Sequence, residues 1–146
     1  MSYTQILYHI ILATDAHAPC LVGPNRLRFY NVISDVIEIK QCRLIRINAV
    51  KEHIHVLCSL DPSISLIDLV NDIKNSSTDF IKKENLFPGF TCWQEEYGAF
   101  THSYKEKTEM SKYVERQQTY HREVTFDEEY QAMLKAAGFH QIPKQL

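Results

Sequence analysis

The sequence predicts an α+β fold of the ferredoxin-like, split βαβ kind. Its antiparallel sheet would carry the connecting helices on one face, with further helices at the C-terminal end. Three observations lead there. Apolar residues alternate between extended and helical spacing in the order strand, helix, strand, strand, helix, strand. Both intervening helical runs are amphipathic, so each needs a sheet face to bury its apolar stripe. The second and third strands are joined by only Lys51-Glu52, close enough for a hairpin.

Each element has a local cause. Tyr3 to Thr14 is apolar and β-rich enough for a central strand. A loop from Asp15 follows and closes on Gly23-Pro24, with Asn25 placed to cap a helix. From Arg26 to about Lys40, Phe29, Ile33, Val36 and Ile37 recur at helical spacing. Arg43 to Val50 forms the second strand and His53 opens the third, which ends at Asp61-Pro62. Ser65 with Asp68 three residues on is a helix start, and Leu66, Leu69, Val70, Ile73, Phe80 and Ile81 carry a long amphipathic helix broken at Asn85 to Gly89. Trp93 to Thr101 is the fourth strand, with Gly98 marking a bulge or the close approach of another backbone.

Residues 1–102 are thus the core of a single domain, and 103–146 its helical extension. Ser103 with Glu106 opens a helix through about Gln118, on which Met110, Tyr113, Val114 and Gln117 share one face. Thr125 with Glu128 caps a last helix whose stripe is Phe126, Tyr130, Met133 and Leu134, stopped by Gly138. That stripe is read as core or dimer contact.

A length of 146 residues suits one domain with a real core. Cys20, Cys42, Cys58 and Cys92 form no Cys-x-x-Cys pair, so neither a zinc knuckle nor a redox dithiol is indicated. No signal-peptide pattern and no membrane-length apolar run occurs, which makes a reduced, cytoplasmic compartment the expectation. The formal charge of −2 is low for a nucleic-acid binder. Local clusters matter more than the sum: Arg43, Arg46 and Lys51 flank the third strand, and Lys105, Lys112 and Arg116 lie in the extension. An ordinary solvated mixture, with Glu106, Glu109 and Glu115 interleaved, explains the second group equally well.

The third strand carries the chemistry. In Glu52-His53-Ile54-His55-Val56-Leu57-Cys58 the two histidines point to one face, while Ile54, Val56 and Cys58 point to the other. Paired imidazoles on a sheet face left open by the helices are metal ligands in waiting; a half-buried strand with two polar residues is the plainer alternative. Tyr113 and Gln117 stand one helical turn apart. A tyrosine is a nucleophile once its proton has gone, and a neighbouring divalent ion would polarise the phosphate under attack. The glutamine offers an amide oxygen suited to Mg²⁺ or Mn²⁺. Read plainly instead, Tyr113 is a core residue of an amphipathic helix and Gln117 an exposed helix former.

Taken together, His53-Ile54-His55, Trp93-Gln94-Glu95-Glu96-Tyr97-Gly98-Ala99-Phe100 and Tyr113-Val114-Glu115-Arg116-Gln117 resemble the single-tyrosine HUH transposases of bacterial insertion sequences, a group that includes the REP-associated tyrosine transposases. The likeness extends from Tyr8-His9-Ile10-Ile11 through Ile73-Lys74-Asn75-Ser76-Ser77 to Phe126-Asp127-Glu128-Glu129-Tyr130. It implies a metal-dependent transposase that cleaves and rejoins single-stranded DNA at hairpin-bearing element ends. Tyr113 would be the nucleophile, leaving a 5′-phosphotyrosine and a free 3′-hydroxyl, and His53, His55 and Gln117 would hold the ion. The resemblance further implies a homodimer, in which the tyrosine helix of one subunit can complete the site of the other. Exchange of one phosphodiester for another needs no nucleotide fuel, and no phosphate-cradling Gly-x-x-x-x-Gly-Lys loop is present.

Two departures stand out. Asp15-Ala16-His17-Ala18 replaces a usually basic loop, which weakens the expected grip on phosphates. Arg116 stands where asparagine is frequent. The alternative is therefore a catalytically silent or domesticated DNA-binding relative that does not cut. A histidine-triad nucleotide hydrolase would need a third histidine at the position of Leu57, and a replication or conjugation initiator with the same chemistry would usually carry further domains.

Overall fold

The computed structural model describes residues 1–139. Four strands form one antiparallel sheet: β1 (Leu7–Ala13), β2 (Arg43–Ala49), β3 (His53–Ser59) and β4 (Gly98–His102), in the order β2-β3-β1-β4. Helices α1 (Arg26–Ile39) and α2 (Leu66–Lys83) are the two crossovers. This is the split βαβ arrangement that the order of patterns predicts.

Helices α1 and α2 bury Phe29, Ile33, Ile37, Leu69, Val70 and Ile73 against Ile10, Leu12, Ile54, Val56 and Cys58 of the two central strands. Ser65 caps α2 by accepting from the Asp68 amide, as its sequence requires. Asn25 stands at the N-cap of α1 but makes no cap bond; its side chain instead donates to the Leu86 carbonyl at 3.2 Å.

The extension begins with the Ser103–Glu106 capping box and a short 3₁₀ turn. Then come α3 (Lys107–Glu115), α4 (Gln117–Tyr120) and α5 (Phe126–Ala136). The helix expected through Gln118 therefore breaks at Arg116, whose φ of −92° and ψ of 13° leave the helical range. Asn48 of β2 explains the break: its side-chain nitrogen takes the Val114 and Glu115 carbonyls at 2.9 and 3.0 Å, groups that a helix terminus leaves unpaired.

Four expectations need correction. The sheet face opposite α1 and α2 is not open. Phe126 and Tyr130 pack on Ile11 and Ala13, and Val114 packs on Leu7 and Leu57, so the extension roofs it. The stripe of α5 is thus core. The fourth strand starts at Gly98, not Trp93, because Trp93 is buried among Phe29 and Phe90 and donates its indole N–H to Ser77 at 2.9 Å. What approaches Gly98 closely is the Tyr130 side chain, with its hydroxyl 3.0 Å from where a Cβ would stand, rather than a backbone. Finally, β1 starts at Leu7, where its pairing with Ser59 and His102 begins; Tyr3 to Gln5 lie exposed beyond the last partners.

Candidate active site

Strand alternation puts His9, Ile11 and Ala13 of β1 on the roofed face, beside Leu57, His55 and His53 of β3 respectively. Both β3 histidines are fully buried. Phe126 lies flat on the His53 ring, with centroids 3.9 Å apart and planes at 15°. Each imidazole is tied from behind: His53 Nδ1 lies 2.8 Å from Glu52 Oε1, and His55 Nδ1 lies 2.6 Å from His9 Nε2. Such outer partners set the tautomer and aim the opposite nitrogen.

Those opposite nitrogens converge on Glu129 of α5, which is 1 % exposed. Its Oε1 lies 3.1 Å from His55 Nε2, 3.5 Å from His53 Nε2 and 3.0 Å from Nε2 of His121, in the turn after α4. Its Oε2 accepts from the Tyr113 hydroxyl and from Gln117 Nε2, the latter at 2.8 Å. One carboxylate therefore joins the histidine pair to both polar residues of the α3–α4 junction. Gln117 is fully buried, which overturns the plain reading of it as an exposed helix former. The break at Arg116 matters here, because Tyr113 and Gln117 lie on either side of it and the Asn48 contacts hold that junction against β2.

The electrostatics follow from burial around one anion. Burial opposes ionisation of Glu129, but the surrounding imidazoles of His121, His53 and His55 override it and hold the carboxyl far below its ordinary range. Burial lowers His55 to about 4 against the opposing pull of Glu129. Burial also lowers His9 well below its ordinary value, with the nearby His55 and His102 adding to the effect. At His121 burial acts downward, yet the hydrogen bond and charge of Glu129 and the Val124 carbonyl raise it overall. Tyr113 is raised well above the usual phenol value, first by burial and then by its bond to Glu129.

The donor set fits a divalent cation. His53 Nε2 and Gln117 Oε1 are buried with no hydrogen-bond partner among the described residues, two orphaned sites on residues named from sequence as metal ligands. With His55 they supply two imidazoles and an amide oxygen, donors that suit a divalent first-row ion.

The chain is similar to known proteins in both sequence and fold. Residues 2–117 match the family described as "Transposase IS200 like". The chain belongs to that family. The ISDra2 transposase TnpA of Deinococcus radiodurans is 26 % identical over 119 residues, covering 77 % of this chain and 84 % of that protein. In fold, this IS200-like transposase is similar to a putative transposase from Deinococcus radiodurans (TM-score 0.60, 20 % identity, 80 % of this chain and 93 % of the other). It is also similar to the REP-associated tyrosine transposase bound to a REP hairpin (TM-score 0.63, 14 % identity, 85 % and 73 % covered).

The cations expected to meet DNA are less tightly gathered. Arg43, Arg46, Lys51, Lys105, Lys112 and Arg116 are all exposed. Arg46 donates to Ser111 of α3 at 3.1 Å. Lys51 lines a groove with Arg26, Arg122 and His121, which makes it the member of the six beside the histidine cluster; Arg43 lines a separate one with Tyr104 and Lys107.

Sequence reasoning missed His9, His121 and Glu129. A signal existed for Glu129: Phe126, Glu129, Tyr130 and Met133 fall at i, i+3, i+4 and i+7, so an acid sits within the apolar stripe of α5. His121 has no such pattern, since it lies in a turn and only the fold brings it to β3.

Proposed function

We propose that this transposase cleaves and rejoins single-stranded DNA, with Tyr113 as nucleophile and a divalent ion held at His53, His55 and Gln117. The observation that carries the reading is the meeting of Tyr113, Gln117 and His55 on the single carboxylate of Glu129. A late-helix tyrosine and the β3 histidine pair thus share one buried site within one chain.

In the reaction the Tyr113 phenol gives up its proton and its oxygen forms a bond to phosphorus as the bond from phosphorus to the 3′-oxygen breaks. The DNA is left with a 5′-phosphotyrosine link, and the 3′-oxygen takes a proton to become a hydroxyl. Rejoining reverses the exchange with another 3′-hydroxyl as attacker. The bound ion would supply polarisation of the scissile phosphate. The chain supplies orientation: Glu129 fixes the Tyr113 hydroxyl by accepting its hydrogen bond. It also supplies restraint, because the raised pKa of Tyr113 keeps the phenol protonated until substrate and ion arrive. Tyr113 lies beside His55 of its own chain, and a homodimer would bring two such sites together, one for each DNA end.

The test is incubation of the protein with fluorescent single-stranded, hairpin-bearing ends and Mn²⁺, read on a denaturing protein gel. The expected result is a covalent adduct and a freed 3′-hydroxyl fragment, both lost in Tyr113→Phe. Binding without an adduct at any metal concentration would favour the silent, DNA-binding alternative, which the thin basic surface supports. Adducts persisting in Tyr113→Phe would mean that another tyrosine attacks, with Tyr120, whose ring centroid lies 5.7 Å from that of Tyr113, first in line.

A further inference from the structure

Two residues outside the sequence-derived ligand set aim at the same point. We propose that His121 and Glu129 are also ligands of the cation, so that three histidines and one carboxylate join the Gln117 amide in a centre which selects a first-row transition ion over Mg²⁺. This rests on the metal-dependent reading above and goes further by naming the full ligand set and the class of ion.

Ligand geometry comes first. Nε2 of His53, His55 and His121 and a carboxylate oxygen of Glu129 all lie within 4.8 Å of one another. The three nitrogens stand 3.0–3.5 Å from Glu129 Oε1. Ligand atoms around one ion with bonds of about 2.1 Å are separated along each edge by roughly 3.0–3.4 Å.

Orientation is the second line. His121 Nδ1 lies 2.7 Å from the Val124 carbonyl, an acceptor only, so that nitrogen carries a proton and Nε2 is the one aimed at the cluster. His53 repeats the pattern with the Glu52 carboxylate. His55 is backed by His9, whose ring can take or give the shared proton. Imidazoles held from behind by a carbonyl, a carboxylate and another ring are arranged as metal ligands are.

His53 Nε2 supplies the third observation: it lies 3.5 Å from Glu129 Oε1 and has no hydrogen-bond partner among the described residues. A cation between them would satisfy both. Three imidazoles favour Mn²⁺, Co²⁺ or Zn²⁺, whereas Mg²⁺ prefers an all-oxygen octahedron that keeps several waters.

The experiment is metal titration of the chelator-treated full chain, without DNA. Co²⁺ is followed by its visible absorption and Mn²⁺ by electron paramagnetic resonance, with Mg²⁺ as competitor. Expected results are tight Co²⁺ and Mn²⁺ binding that a large excess of Mg²⁺ does not displace. Glu129→Gln and His121→Asn should each weaken Mn²⁺ binding tenfold or more and alter the Co²⁺ spectrum, while Asp127→Asn, on the first turn of the same helix, should change neither. Circular dichroism checks folding. If Glu129→Gln is poorly folded, His121→Asn decides alone, as its ring sits at the edge of the cluster. Unchanged or tighter binding in Glu129→Gln would overturn the inference, because the carboxylate would then be an internal occupant that the ion displaces. A wild-type spectrum insensitive to His121→Asn would overturn it too. Loss of metal in His53→Ala separates the two levels: if that variant also binds normally, the metal-dependent reading itself fails.

Discussion

Acidification of the metal-free protein is the most direct probe of the buried cluster, because its groups divide by pH. His55 ionises at about 4 in the folded chain against an ordinary 6.5, so the folded state resists a proton that the unfolded chain accepts. Stability from this source is present above pH 6.5 and is lost as the pH falls towards 4. The difference of about 2.5 pH units corresponds to about 3 kcal/mol in full, of which about 2 kcal/mol is lost between pH 6.5 and 4.5. His9, also lowered, adds in the same direction. His121 and Glu129 are silent in that window. His121 is raised, so its contribution is complete below 6.5 and fades only as the pH rises through its folded value. Glu129 is depressed, so its contribution is complete above 4.5 and fades only at lower pH. Urea denaturation in a chelator at pH 6.5 and 4.5 measures the loss, and His55→Gln should flatten the slope between those two points. Equal stabilities at both pH values, or an unchanged slope in His55→Gln, would refute the account of a histidine held neutral by burial.

Other perturbations test the elements that frame the site. Gly98→Ala places a Cβ 3.0 Å from the Tyr130 hydroxyl and 3.3 Å from carbons of Tyr130 and Phe100, so a loss of about 1–3 kcal/mol is expected by thermal or urea denaturation. Adding Tyr130→Phe should recover part of that loss, and no recovery would locate the clash elsewhere. Asn48→Ala leaves the Val114 and Glu115 carbonyls without their partner and should cost about 1–3 kcal/mol, with adduct formation falling further than stability because Tyr113 is released. A fully active Asn48→Ala protein would mean that the helix break is held by other contacts.

How much was legible from the residues divides along the same line. Strand and helix order came from periodicity, and both Ser65 and Thr125 cap the helices that their spacing indicates. His53 and His55 share a face because a strand allows nothing else. What periodicity does not carry is which faces meet. The apolar stripe of α5 fits a dimer contact or a roof equally well, and only the packing of Phe126 on His53 and of Tyr130 on Ile11 and Ala13 decides for the roof. The break after Glu115 was hidden for a related reason. Met110, Tyr113, Val114 and Gln117 keep helical spacing across it, and the cause, Asn48, lies on β2.

That roof changes what the histidine pair can be. On an open sheet, His53 and His55 would be solvated imidazoles waiting for an ion. Beneath α5 they are desolvated, backed by Glu52 and His9, and faced by an anion. The family match spans residues 2–117 and includes His53, His55, Tyr113 and Gln117, whereas His121 and Glu129 lie beyond it. The segment outside the match therefore supplies the negative charge that the buried imidazoles require and the acceptor that restrains the tyrosine. A chain cut after Gln117 would keep the nucleophile and the three ligands that the resemblance implies, yet would expose Ile11 and Ala13 and leave three orphaned donors and acceptors at His55, Tyr113 and Gln117.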